Sequence, residues 1–180
     1  MKEIFERRRF PWRAVERIRL SAPSEQEAVG HVVRGFLAGG KVIERDLARE
    51  VCASLRWNLS YINNFCAICD SLTRGYVTRD MVAESMDELL SMHEPRFISA
   101  VNDLTTYQTR LLRAVLEGET KFSSAEVITR YGLSSSANVK RLKDALLKKE
   151  ILTFGDLLTE ENPEIIDPLF EYWLRKVFFR

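Results

Sequence analysis

Histidine and cysteine are scarce in this chain, with two and three residues in 180. His31 and His93 lie far apart, and neither stands beside a Ser or Cys in a nucleophile setting. Acyl- or group-transfer chemistry by an activated nucleophile is therefore not expected. Cys66-Ala67-Ile68-Cys69 has the spacing of a zinc or thiol-redox pair. A structural zinc site needs four ligands, and Cys52, His31 and His93 supply no second pair at a supporting spacing. Cys66 and Cys69 instead share an apolar helical stripe with Ile62 and Phe65, so they read as core cysteines of a reducing compartment. No metal or cofactor is expected. Neither sign of charge is in excess, the formal net charge being +1, which removes any global pull toward nucleic acid or membrane. No apolar run approaches membrane-spanning length, and the start Met1-Lys2-Glu3-Ile4-Phe5-Glu6 is charged rather than leader-like; a cytoplasmic location is expected. Acidic neighbours such as Asp87-Glu88 and Glu160-Glu161 read as solvated charge rather than as a catalytic pair.

What is present suits a packed, non-catalytic protein. Apolar residues make up 46% and charged residues 29% of the chain, enough to bury a core of one large or two small units. The first twenty residues form a basic extended arm in which Lys2, Arg7, Arg8, Arg9, Arg13, Arg17 and Arg19 face only Glu3, Glu6 and Glu16. From Ser24 the period becomes helical. Val29, Val32, Val33, Phe36 and Leu37 form one stripe; Leu47, Val51 and Leu55 a second; Ile62, Phe65, Cys66, Cys69 and Leu72 a third. Thr78 caps a fourth helix carrying Val82, Met86, Leu89 and Leu90. Four amphipathic helices with short breaks predict a bundle over residues 21–93. Gly40-Lys41-Val42 and Gly75-Tyr76-Val77 each lead into an Arg-Asp-apolar helix start, the mark of an internal repeat.

Pro95 and residues 97–103 read as the bridge to a second unit, residues 94–180. Its first helix carries Tyr107, Leu111, Leu112 and Val115. Ser123-Ser124-Ala125-Glu126 predicts a capping box on a short helix through Val127 and Ile128 to Tyr131, ended by a left-handed Gly132. Ser134 or Ser135 caps the next helix, whose buried stripe is Val139, Leu142 and Leu146. Ile151-Leu152-Thr153-Phe154 and Ile165-Ile166 read as strands joined by a polar loop containing Gly155 and Pro163. Phe170, Trp173, Leu174, Val177 and Phe178 line one face of a last helix, with Tyr172 and Phe179 the more exposed aromatics. That order gives the fold class: mainly α, a helical bundle followed by a winged helix-turn-helix with a small β-hairpin wing.

Specific residues carry a further likeness. Leu104-Thr105-Thr106-Tyr107-Gln108, Leu111-Leu112-Arg113-Ala114-Val115, Phe122-Ser123-Ser124-Ala125-Glu126-Val127, Tyr131-Gly132-Leu133 and Asp167-Pro168-Leu169-Phe170 with Trp173 and Arg175 resemble the winged helix that ends archaeal-type, STAND-like AAA+ ATPases. Ile4-Phe5, Phe10-Pro11-Trp12, Ile18-Arg19-Leu20 and the helices up to Leu90 are similar to the segment leaving the ATPase core and to its helical lid. The resemblance implies a C-terminal region without the nucleotide-binding core, with the basic arm as the connection to that core. Residues 35–41, Gly-Phe-Leu-Ala-Gly-Gly-Lys, have phosphate-loop spacing, but a helix pattern precedes them and Val42 stands where a Mg²⁺-binding Ser or Thr is needed. Neither that loop nor an acidic Mg²⁺-binding strand is expected here, so no catalytic activity is. Arg56-Trp57-Asn58-Leu59 departs from the small or Pro-containing approach usual before the third lid helix.

Two surfaces remain as contact candidates. With Val139, Leu142 and Leu146 buried, the helix after Gly132 points Ala137, Lys140, Arg141, Asp144 and Lys148 outward, with Ser135 at its start. Five cations (Lys140, Arg141, Lys143, Lys148, Lys149) against Asp144 and Glu150 leave it at +3. Such a face attracts phosphates, and Arg141 has the fork that reads a guanine edge. Asp144 in its midst, and the acids Glu150, Asp156, Glu160, Glu161, Glu164, Asp167 and Glu171 with no Lys or Arg between Lys149 and Arg175, oppose DNA. The favoured partner is an ATPase core or another protein, with DNA the alternative. The second basic candidate is Arg7-Arg8-Arg9, read chiefly as solvated charge on the connecting arm.

Overall fold

The computed structural model describes residues 23–154 and 163–180. Local chemistry sets the start of almost every helix. Ser24 Oγ accepts from the Glu27 amide while the Glu27 carboxylate accepts from the Ser24 amide, so α1 (Glu25–Ala38) opens with both donors satisfied. α2 (Arg45–Ser54) follows, then α3 (Leu59–Leu72), capped by Asn58, and α4 (Arg79–Asn102), capped by Thr78. The apolar stripes are buried much as their period requires, with two corrections. Leu37 is 65% exposed and Leu72 sits at the exposed margin, each in the last turn of its helix.

The two Gly-apolar repeats meet each other. The Val42 amide donates to the Gly75 carbonyl at 2.8 Å and the Val77 amide donates to the Val42 carbonyl at 2.9 Å, a parallel bridge between equivalent points of two helix pairs. Arg79, in the second Arg-Asp start, forms a two-pronged pair with Glu50 of α2 at 2.7 and 2.9 Å. The repeat thus brings the α1–α2 and α3–α4 hairpins side by side.

The expected bridge at Pro95 is not a break. α4 runs unbroken for 24 residues through it, and the boundary expected between residues 93 and 94 falls inside this helix. Proline removes one helical hydrogen bond. Buried Leu89 and Leu90 on one side and Phe97 and Val101 on the other pack both flanks of the gap, and the helix continues across it.

The second half has the predicted order. α5 (Thr106–Leu116) opens with a Thr105–Gln108 capping box. α6 (Ala125–Tyr131) is capped by Ser124, not Ser123: a turn from Lys121 to Ser124 delivers the Ser124 hydroxyl to the Val127 amide, and Glu126 makes no capping box. Gly132 ends α6 at φ +62°, a conformation that costs an L side chain about 1–2 kcal/mol. Ser135 caps α7 (Ser136–Lys148). The hairpin pairs β1 (Leu152–Phe154) with β2 (Pro163–Ile165) antiparallel, Leu152 opposite Ile165. Pro163 therefore starts a strand instead of lying in the loop; in a two-stranded ribbon an imino residue at a strand's first position costs no ladder bond. Ile166 lies just beyond β2 and is exposed. Asp167 caps α8 (Pro168–Trp173), which passes into one π-helical turn, Leu174–Phe178. The wider turn rotates the residues after Leu174 relative to an α-helix. Val177 and Phe178 consequently face solvent, while Tyr172 and Phe179 are the half-buried pair, the reverse of the expected assignment.

One apolar core joins both halves. Phe97 sits near its centre at 1% exposure, its ring 5.3 Å from Phe170, 5.7 Å from Trp173 and 6.1 Å from His93.

Candidate partner interface

α7 is oriented by what it buries. Val139, Leu142 and Leu146 pack into the core with Leu111 and Leu112 of α5. A 100° step per residue then turns Ala137, Lys140, Arg141, Asp144 and Lys148 out, and all five are exposed. The structure brings these sequence-predicted residues onto one face. Ser135, also exposed, has its hydroxyl oxygen occupied by the Asn138 amide at 3.2 Å, so its role is to hold the start of the helix. Asn138 in turn donates its side-chain amide to the Leu133 carbonyl at 2.9 Å, fixing the turn after α6. Ser134 in that turn adopts φ +76°.

Two of the cations counted from sequence are engaged with the rest of the fold. The Lys149 ammonium donates to the Asp103 carbonyl at 2.9 Å, tying the end of α7 to the end of α4. Lys143 lies 5.7 Å from the centre of the Phe122 ring. What remains outward is Lys140, Arg141 and Lys148 around Asp144, a mixed face of moderate positive charge.

The acids of the C-terminal segment divide similarly. Asp156, Glu160 and Glu161 lie outside the described residues, as do Arg7, Arg8 and Arg9 of the second basic candidate. Glu164 is exposed on β2. Asp167 and Glu171, however, are consumed within the fold. Asp167 Oδ1 accepts from the Leu169 and Phe170 amides, and its Oδ2 accepts from the Tyr61 hydroxyl and Arg96 Nη2, both at 2.7 Å. Arg96 also donates to the Tyr61 oxygen at 2.8 Å. Burial, and then the Asp167 carboxylate, pushes the Tyr61 phenol above its usual range, so it stays a donor. Glu171 pairs with Arg56 at 3.1 Å and Arg175 at 2.9 Å. Arg56 also donates to the Ile165 carbonyl of β2. Arg56 and Trp57 stand at φ +46° and +58°, and this left-handed pair is the break between α2 and α3 that the unusual Arg56-Trp57-Asn58-Leu59 stretch marks. Trp173 Nε1 donates to Glu94 at 3.1 Å, and Lys176 pairs with Asp87. The wing base and last helix are thereby anchored to α3 and α4, and α7 is presented from a firm support. Sequence reading missed these cross-links, since partners separated by 71 to 115 residues leave no local pattern.

The other candidates resolve as core or as helix. Burial pushes the Cys52 thiol up to about 11 and, with neighbouring Cys52, Cys69 and Asp70 charges adding, Cys66 to about 12. Thiols held that far above neutrality are poor nucleophiles and poor metal ligands. Gly35 to Ala38 of the phosphate-loop look-alike form the last turn of α1, and Lys41 pairs with Asp70 at 2.7 Å. No described helix is long and apolar enough to cross a membrane.

Residues 95–176 match the model of a family described as a probable winged helix domain. No curated protein and no solved structure matches the chain. The matched segment begins within α4 at Pro95 and ends in the π-helical turn, taking in α5 to α8 and the hairpin.

Proposed function

We propose that this chain is a non-catalytic regulatory module of a STAND-like AAA+ ATPase whose winged helix docks on the ATPase core or on another protein through the exposed face of α7. The observation that carries this reading is the pattern on that face: Lys140, Arg141 and Lys148 surround Asp144 beside the small Ala137. Alternating signs suit a protein surface of complementary pattern, where misplaced like charges exclude wrong partners. A phosphate backbone laid on the same face would meet the Asp144 carboxylate. The ATPase lineage rests on the sequence resemblance, and the firm attachment of the winged helix to the bundle supports a module that relays position from one to the other.

A photo-reactive amino acid in place of Ala137, in the cells that make the protein, tests the proposal. Crosslinks to a peptide of a phosphate-loop ATPase are expected; crosslinks confined to DNA would overturn the reading. DNA binding is the second reading, favoured by one observation: Asp167 and Glu171, which counted against it, are neutralised by Arg96, Arg56 and Arg175. Fluorescence anisotropy on duplex DNA across a salt series separates the two. Docking predicts flat titrations, whereas salt-dependent binding abolished by Lys140→Glu with Arg141→Glu would establish the DNA reading.

A further inference from the structure

Between α5 and the end of α6 lies an open cleft of about 440 Å³ lined by Arg110, Arg113, Glu117, Arg130 and Tyr131. Its cations are all arginines, and none belongs to α7. The buried Tyr131 hydroxyl donates to Glu117 at 2.6 Å and lies 3.2 Å from Glu119. Two carboxylates on one phenol repel each other unless cations neutralise them. Arg113 Nε does so for Glu117 at 2.8 Å and Arg130 Nη1 for Glu119 at 3.0 Å. Arg110 stands beside them without a carboxylate partner among the described residues. Its Nη1 donates to the Gly132 carbonyl at 3.0 Å, and its guanidinium lies 5.6 Å from the centre of the Tyr107 ring. Three guanidiniums against two carboxylates leave the cleft one positive charge in excess.

Each guanidinium is oriented by its partner yet uses few of its five N–H donors, and all three arginines are exposed. Forks fixed in advance lose little freedom on binding an oxyanion. A planar carboxylate fills one fork, whereas three forks around one space match a group with three terminal oxygens. The two glutamates oppose a polyanion whose successive phosphates would lie along them, and they leave room for an isolated one.

We propose that the Arg110–Arg113–Arg130 cleft binds a single isolated phosphate group, carried as a monoester on a phosphorylated side chain of a partner or free as inorganic phosphate. The site is separate from the α7 face and stands whichever partner α7 takes.

The test is side-chain NMR of the full chain labelled with ¹⁵N-arginine, titrated separately with inorganic phosphate, a phosphoserine peptide, its unphosphorylated form and duplex DNA. Saturable shifts of the Arg110 and Arg130 Nε–H signals are expected with phosphate and the phosphopeptide and not with the unphosphorylated peptide. Tighter binding of the phosphopeptide than of phosphate assigns a protein-borne ligand; equal binding assigns the free ion. Arg110→Gln and Arg130→Gln, both surface changes whose folding circular dichroism checks, should each weaken binding about tenfold. Absence of a saturable shift, unchanged affinity in both variants, or tighter binding of DNA at these arginines would overturn the proposal.

Discussion

Replacing Asp167 by alanine should loosen the last helix from the bundle, at a cost that can be built up bond by bond. Its Oδ1 caps α8 by accepting from two amides, and removing such a cap costs about 1 kcal/mol. Its Oδ2 accepts from the hydroxyl of Tyr61, a residue only 8% exposed. Without it that hydroxyl still accepts from Arg96 but has no acceptor for its own proton, a penalty of about 1–2 kcal/mol. The Arg96 pair adds less, about 0.5 kcal/mol, since the Arg96 side chain is 56% exposed and returns to water. Together these give about 3 kcal/mol. Asn at the same position keeps a cap and an acceptor but loses the charge, so Asp167→Asn should cost about 1 kcal/mol. Urea denaturation followed by far-UV circular dichroism measures both, and a cycle with Tyr61→Phe should show a coupling of about 1 kcal/mol. An Asp167→Ala variant within about 0.5 kcal/mol of the parent, or an Asn variant as unstable as the Ala variant, would refute the reasoning.

Three further outcomes follow from single contacts. Phe97→Ala removes the ring that joins His93, Phe170 and Trp173 and should cost about 3–5 kcal/mol; calorimetry should show one unfolding transition falling, whereas an unshifted transition for either half would break the picture of a shared core. Gly132→Ala forces φ +62° on an L residue and sets a Cβ 2.9 Å from Arg110 Nη1, so the melting midpoint should drop by the equivalent of about 1–2 kcal/mol and the Arg110 Nε–H signal should move. His93 has a buried Nε2 with no hydrogen-bond partner among the described residues, and burial first, then the Arg96 cation, holds its pKa below the usual value against a weaker opposing pull from Asp167. The unfolded imidazole, titrating near 6.5, binds the proton first as pH falls. Stability from this group is therefore whole above about pH 6.5 and drains away below it. The urea midpoint should fall between pH 7.5 and 5 by less in His93→Phe than in the parent, and equal falls would remove His93 from the account.

Helix starts, stripes and the Gly132 turn were legible because they depend on residues within four positions of each other, as with the Thr78 cap. The outward face of α7 was legible for the same reason: once Val139, Leu142 and Leu146 are inside, the helical period places Lys140, Arg141 and Lys148. The failures are of two physical kinds. Where two serines adjoin, the turn from Lys121 decides between Ser123 and Ser124, and a one-residue choice is invisible to pattern. Where the backbone departs from the standard period, as in the π turn after Trp173, extrapolating 100° per residue puts Val177 and Phe178 on the wrong side. Pro95 is a different matter: the helix continues through it because packing on both flanks overrides a local rule. The Arg110–Arg113–Arg130 cleft needed two helices to meet, and nothing in either helix alone foretold it.

The unbroken α4 changes what the charge pattern means. Its first half carries Met86, Leu89 and Leu90 into the core and its second half carries Phe97 against Phe170 and Trp173 of α8. A helix of 24 residues spans about 36 Å, so a rotation of the bundle about this axis moves the α7 face with it. The polar links at Asp167 and Glu171 act on the same two bodies from the side, and they resist shear that apolar packing alone would permit. Acids that sequence alone set against a nucleic-acid partner thus serve to hold the winged helix on its support. In the proposed docking, what α7 itself offers a partner is the small set left over: Lys140, Arg141 and Lys148 around Asp144. A surface that small fixes orientation more readily than it supplies affinity, which is the property the proposed relay requires.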